Sequence, residues 1–185
     1  MLDEIFDELK ENFDGTIKGL QRELAKIRAG RANVSMLDGV RVEYYGSMTP
    51  IAQVATLKVA DPRMITIQPW EKSLIADVER AITSSGLGLN PSNDGVNIRV
   101  PIPPLSEDRR RDLARVAKRA GEDHKIALRN HRRECNDTLK ELEKESEITE
   151  DDLHRGFDQV NQLTETYSKK VDELLRAKEE EIMEV

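Results

Sequence analysis

The chain has 185 residues (21.1 kDa), room for one large domain or two small ones, and its 4% aromatic and 35% charged content argues against a large β-sandwich and for long, charge-covered helices. No run approaches the roughly 18 apolar residues of a membrane span, and Met1 to Lys10 is acidic where a signal or transit peptide would be basic, so a soluble, cytoplasmic protein with no membrane role is expected. A net charge of −7 excludes a uniformly basic nucleic-acid binder, and one cysteine, Cys135, excludes an internal disulfide and suits a reducing compartment.

Leu2, Ile5, Leu9, Phe13, Ile17, Leu20, Leu24 and Ile27 recur at steps of three or four, which predicts a helix over 2–29 with a stop at Ala29-Gly30. Gly15 and Gly19 each cost this helix about 1 kcal/mol relative to alanine, so packing on a partner must hold it. From Gly39 the period becomes two. Val40, Val42 and Tyr44 alternate with Arg41, Glu43 and Tyr45 up to Gly46, and Ile65/Ile67 and Ile98/Val100/Ile102 repeat the pattern of short strands. Between them Leu74, Ile75, Val78 and Ile82 make a helical stripe within 71–85, and Gly86, Gly88, Asn90-Pro91 and Asp94-Gly95 mark loops. Trp70, at the start of that stripe, is expected to anchor the core, with a binding role as the alternative.

Pro101, Pro103 and Pro104 stop the last strand, and Ser106 before Glu107 and Asp108 caps a second long helix. Its inner face is read as Leu113, Ala117, Ala120, His124, Ala127, His131, Thr138 and Leu142, as far as about Lys144. Thr149 to Asp152 resembles a capping box and opens a third helix on Leu153, Phe157, Val160, Tyr167, Val171, Leu174 and Ile182. The expected fold is α+β: an antiparallel three-helix bundle from 1–30 and 105–185, with a small β-rich α/β module, 31–104, inserted after the first helix. The chain leaves and re-enters the bundle at Gly30, Arg31 and at Pro103, Pro104, Leu105. Glycine frees one crossing and prolines stiffen the other, so an elbow with limited swing is expected.

The charge is unevenly spread. Between Arg109 and Arg133 ten basic residues (Arg109, Arg110, Arg111, Arg115, Lys118, Arg119, Lys125, Arg129, Arg132, Arg133) stand against Asp112, Glu122 and Asp123. At about 100° per residue Arg111, Arg115, Lys118, Lys125, Arg129 and Arg132 share a stripe roughly opposite the apolar face, broken by Glu122. Arg129, Arg132 and Arg133 stand at i, i+3 and i+4, close enough to meet neighbouring phosphates. The bland alternative is a solvated face, or one paired with the acidic third helix. Aromatic residues are missing from the stripe, so backbone and shape recognition of folded RNA is favoured over base stacking.

Other chemistry is poorly supported. His131 and Cys135 at i, i+4 lack the second pair a zinc site needs, so packing is expected and no metal. His124 reads as a half-buried, satisfied histidine and His154 as exposed in a first turn. Gly86-Leu87-Gly88-Leu89-Asn90-Pro91 follows a helix and lacks Gly-Lys-Ser/Thr, so it is read as a turn, and with no nucleotide loop or catalytic constellation neither a cofactor nor an enzymatic activity is expected. Two rival readings are a coiled-coil adaptor whose stripe grips an acidic protein, and a hydrolase of RNA ends using Glu122 or Glu134.

Ile27-Arg28-Ala29-Gly30-Arg31-Ala32, Leu37-Asp38-Gly39 with Val42-Glu43-Tyr44-Tyr45-Gly46, Gly88-Leu89-Asn90-Pro91, Ile98-Arg99-Val100-Pro101-Ile102-Pro103-Pro104-Leu105 and Arg129-Asn130-His131-Arg132-Arg133 together closely resemble bacterial ribosome-recycling factor over essentially the whole chain. The resemblance implies an L-shaped monomer of near-tRNA dimensions that binds the ribosome after peptide release and, with elongation factor G and GTP, separates the subunits. It also implies that Arg129, Arg132 and Arg133, with Arg28 and Arg31, meet large-subunit ribosomal RNA. Together with Arg111, Lys118 and Lys125 of the stripe, these are the candidate RNA-binding residues.

Overall fold

The structure, a computed structural model, describes residues 1–184. They divide into two compact units, Met1–Ala29 with Glu107–Glu184, and Gly30–Ser106. Together they make an α+β fold of long helices and small antiparallel sheets.

The first unit contains α1 (Leu2–Ala25), α3 (Glu107–Lys144) and α4 (Glu150–Met183), with α2 lying in the other unit. Helix α1 ends four residues before the predicted Ala29. Lys26 N–H reaches Glu23 O and Leu24 O, and Ile27 N–H bonds Leu24 O at 3.0 Å, so the last turn tightens and Ile27 is buried beyond the helix proper. The turn between α3 and α4 is a Schellman motif: Glu147 N–H bonds Leu142 O and Ser146 N–H bonds Glu143 O, with Ser146 at φ +60° where glycine is usual. Thr149 then caps α4 in the predicted capping box, each of Thr149 and Asp152 accepting the other's backbone N–H. The Thr149 hydroxyl first, then its backbone N–H, then the side chain of Arg155 donate to the Asp152 carboxyl and hold it below its usual range.

Glu23 and Gly19 of α1 face His124, and Phe13 faces His131, while Gly121 of α3 faces Leu175 of α4 and Gly156 of α4 faces Leu139, so α3 runs antiparallel to both α1 and α4. The core gathers Phe6, Leu9, Phe13, Leu20, Leu128, Leu139, Val160, Tyr167, Val171 and Ile182. On α3 the seam differs from the predicted one after Ala120: Leu128, Cys135 and Leu139 are buried, whereas Thr138 is exposed and Ala127 only half-buried. The large side chains win the interior over small or polar ones one residue away.

The second unit holds two sheets. Strands β1 (Arg41–Tyr44) and β2 (Ser47–Pro50) form a hairpin, with Tyr45 and Gly46 both at positive φ as a two-residue primed turn requires. Strands β3 (Ala55–Asp61), β4 (Met64–Pro69), β5 (Ser92–Asn93) and β6 (Ile98–Pro101) form an antiparallel sheet of order β3-β4-β6-β5. Ile65, Ile67, Ile98 and Val100 cover one face of it and pack with Ile75, Val78 and Ile82 of α2 (Ile75–Thr83). The helical stripe predicted over 71–85 is shorter as α-helix because Lys72–Leu74 forms a 3₁₀ turn. The segment 86–91 is a turn, with Gly86 and Gly88 at positive φ and Leu89 buried.

Trp70 is a correction. It does not anchor this core: it is 65% exposed, and its indole N–H donates to Thr56 Oγ1 at 3.0 Å. Alternation along β4 buries Ile65, Ile67 and Pro69, which leaves position 70 on the outer face.

Candidate nucleic-acid interface

Helix α3 carries the cationic stretch, and its buried seam fixes which side chains face water. Arg129, Arg132 and Arg133 are exposed, as are Lys118 and Arg119, and among the described residues none of these five has a carboxylate within ion-pair distance. Arg119 was not among the predicted contacts. Its signal lay in the basic run itself, one residue from Lys118. Arg111 and Arg115 are exposed too but are tied within the helix, to Glu107 and to Asp112. Pairs of that exposure contribute little and exchange readily for a stronger anion.

The acidic third helix does not neutralise the arginine trio. Lys125–Asp172, Gly121–Leu175 and Leu139–Gly156 set the register of α3 on α4, and among the described residues no carboxylate of α4 pairs with Arg129, Arg132 or Arg133. Glu165 pairs instead with Lys169 at 3.2 Å, and Thr164 Oγ1 donates to Val160 O.

Lys125 departs from the expectation of an exposed, solvent-facing cation. Its side chain is 24% exposed, and Nζ lies 2.6 Å from Asp172 Oδ1 on α4. The cause is helical phase: Lys125 stands four residues after Gly121 and three before Leu128, both buried, so it sits at the border of the seam and not opposite it. Its charge joins two helices.

Arg28 and Arg31 are both exposed beside the first crossing. Gly30 there has φ +75°, and a Cβ at that position would stand 3.0 Å from Leu105 Cγ, so glycine answers both a left-handed backbone and a close approach by the returning strand. Pro103 and Pro104 are exposed and Leu105 half-buried.

His124, His131 and Cys135 occupy packing positions. His124 is half-buried, with Nδ1 2.7 Å from Ala120 O and Nε2 facing Gly19 of α1. His131 lies edge-on to Phe13, with Glu134 Oε2 3.5 Å from a buried Nδ1 that makes no hydrogen bond. Cys135 borders a cavity of about 100 Å³ with Ile5, Leu9, Asn12 and His131, and burial, then the charge of Glu8, pushes its thiol up to about 11. His154 is exposed in the first turn of α4. No helix among the described residues is long and apolar enough to cross a membrane.

The arrangement can bind a polyanion by charge and by guanidinium forks, and it is built from the segments that carried the family resemblance. Residues 20–183 match the profile of the ribosome recycling factor family. The chain belongs to that family. It is 51% identical over 185 residues to the ribosome-recycling factor of Halalkalibacterium halodurans, covering 100% of both chains, and 52% identical over 182 residues to that of Alkaliphilus oremlandii, covering 98% of each. Among solved structures it is similar to a ribosome recycling factor in solution, with TM-score 0.67, 37% identity and 100% and 98% of the two chains covered. Another similar chain, with TM-score 0.60, 39% identity and 99% of each chain covered, belongs to models for the T. thermophilus ribosome recycling factor and the E. coli elongation factor G bound to the E. coli post-termination complex. The recycling-factor fold is therefore present over essentially the full length.

Proposed function

We propose that this chain binds the post-termination ribosome through large-subunit ribosomal RNA and, with elongation factor G and GTP, splits it into subunits. The observation that carries the reading is the exposed trio Arg129, Arg132 and Arg133, free of carboxylate partners among the described residues, in a family with a relative placed on the post-termination complex beside elongation factor G.

The trio supplies planar, permanently charged donors to phosphate oxygens, which suits recognition of a folded RNA backbone. Lys118, Arg28 and Arg31 add long-range attraction, and Arg111 exchanges Glu107 for phosphate on docking. Lys125 acts indirectly by fixing α3 on α4 through Asp172. The chain works as a monomeric, cytoplasmic lever without catalytic group, cofactor or metal, and hydrolysis energy comes from the GTPase. The crossings at Gly30-Arg31 and Pro103-Pro104-Leu105 act as the hinge, with bundle 1–30 and 105–185 as one arm and module 31–104 as the other.

Light scattering of intact post-release ribosomes tests this. A fall in signal that requires the chain, elongation factor G and GTP together supports the reading, and an undiminished signal with all three present refutes it.

A further inference from the structure

The outer face of the four-stranded sheet is polar, cationic and carries the chain's single tryptophan. Directly opposed residues of antiparallel strands share a face. The pairs Lys58↔Thr66, Thr66↔Arg99 and Ser92↔Arg99 therefore draw one row across all four strands, and Thr56↔Gln68 lies in the next row. Trp70 follows Gln68 by two residues, and its bond to Thr56 Oγ1 holds the indole at the end of that second row. The opposite face is the apolar one, with Ile65, Ile67, Ile98 and Val100 fully buried.

Three features of this face are unusual for a surface that serves only solubility. An indole that is 65% exposed costs apolar hydration, and its single donor is already used internally, which orients the ring. No acidic side chain stands in either row; of the carboxylates nearby, Asp94 lies 3.7 Å from Arg99 while accepting the N–H groups of Val96 and Asn97, and Asp61, in the neighbouring row Asp61↔Met64↔Pro101, accepts the N–H of Arg63. Lys58 is exposed and has no ion-pair partner among the described residues. Thr66 stands between the two cations, with Ser92 beyond Arg99 on the edge strand and Gln68 in the next row.

We infer that this sheet face is a second nucleic-acid contact, which takes unpaired nucleotides of an RNA with a base stacked on Trp70 and the backbone phosphates on Lys58 and Arg99. The chemistry separates it from α3, where cations stand without an aromatic and fit a helical backbone. Here a rigid π-surface beside spaced cations on an open antiparallel sheet suits a single strand, whose bases are free to stack. An acidic protein would satisfy the cations but would leave the indole unused.

Trp70 is the only indole, so the emission reports the surroundings of this face. The full chain at low salt is titrated with a short single-stranded oligoadenylate, with inorganic polyphosphate and with poly-glutamate. Saturable quenching by the oligonucleotide, stronger than by either base-free polyanion, is the expected result. Lys58→Glu moves the midpoint to higher concentration. In a chain whose Arg129, Arg132 and Arg133 are replaced by alanine, Trp70→Ala weakens binding of a labelled oligoadenylate at least about fivefold, read by anisotropy, while Trp70→Phe retains most of it. Circular dichroism of each variant should match the parent, since the altered side chains are exposed. Absence of quenching by the oligonucleotide, or equal quenching by polyphosphate or poly-glutamate, overturns the proposal.

Discussion

A Cβ on Gly121 would stand 2.3 Å from Leu175 Cδ1 and 2.8 Å from both Cγ and Cδ2, so α3 and α4 meet there with no space for a methyl group. The whole isobutyl group of Leu175 would have to move. Gly121→Ala is accordingly expected to destabilise by about 1–3 kcal/mol, overpacking outweighing a helix-propensity gain of about 1 kcal/mol. Gly15 gives the opposite sign. Nothing lies within 4 Å of its virtual Cβ, so Gly15→Ala should stabilise by about 1 kcal/mol. Urea denaturation of the two variants checks both signs at once.

Tyr167 of α4 donates its hydroxyl to Asp14 of α1 at 2.6 Å, beneath Phe13 and with Lys170 Nζ 4.2 Å from its ring centre. Burial first, then the bond to Asp14, pushes the phenol up to about 12 from 10.0. The folded state therefore holds the proton more tightly than the unfolded state. The contribution is complete below pH 10 and is lost as pH rises towards 12. Tyr167→Phe should cost roughly 1 kcal/mol at neutral pH and should show a shallower alkaline decline, measured by denaturation at pH 7 and in steps above 10.

Much of the bundle was legible because its signals are local. The Thr149–Asp152 box, the α3 start at Glu107 and the period of Leu9, Phe13, Leu20 and Leu24 need no distant information. What failed depended on neighbours. The seam of α3 moves to Leu128, Cys135 and Leu139 because α1 and α4 select the larger side chains, and with it Lys125 turns to Asp172. Strands β2 and β3 escaped notice because exposed Met48, Val59 and Ala60 break the alternation. Trp70, read inward from its place at the start of the helical stripe, instead follows the phase of β4, which points outward. At the candidate site, Arg129, Arg132 and Arg133 were readable from spacing. Their lack of partners on α4 was not, since it depends on how the two helices pack, with Asp172 of α4 paired to Lys125 and Glu165 to Lys169.

Cys135 should be inert in the folded chain. The residue is 7% exposed and its thiol is lifted to about 11, so hardly any thiolate forms at neutral pH. A chromogenic disulfide reagent at pH 8 should react at the rate of opening of the bundle, and denaturant should accelerate it to the rate of a free thiol.

The central claim is that the α3 trio docks on RNA phosphates, and its most direct test is equilibrium binding to isolated large ribosomal subunits across a salt series. The parent chain should show a log-log slope of about −3 to −4, as for about four phosphates neutralised. Arg132→Ala should weaken binding by about 1–3 kcal/mol and reduce the slope by about one, with unchanged circular dichroism. Equal affinity and an equal slope for the folded variant would contradict the account.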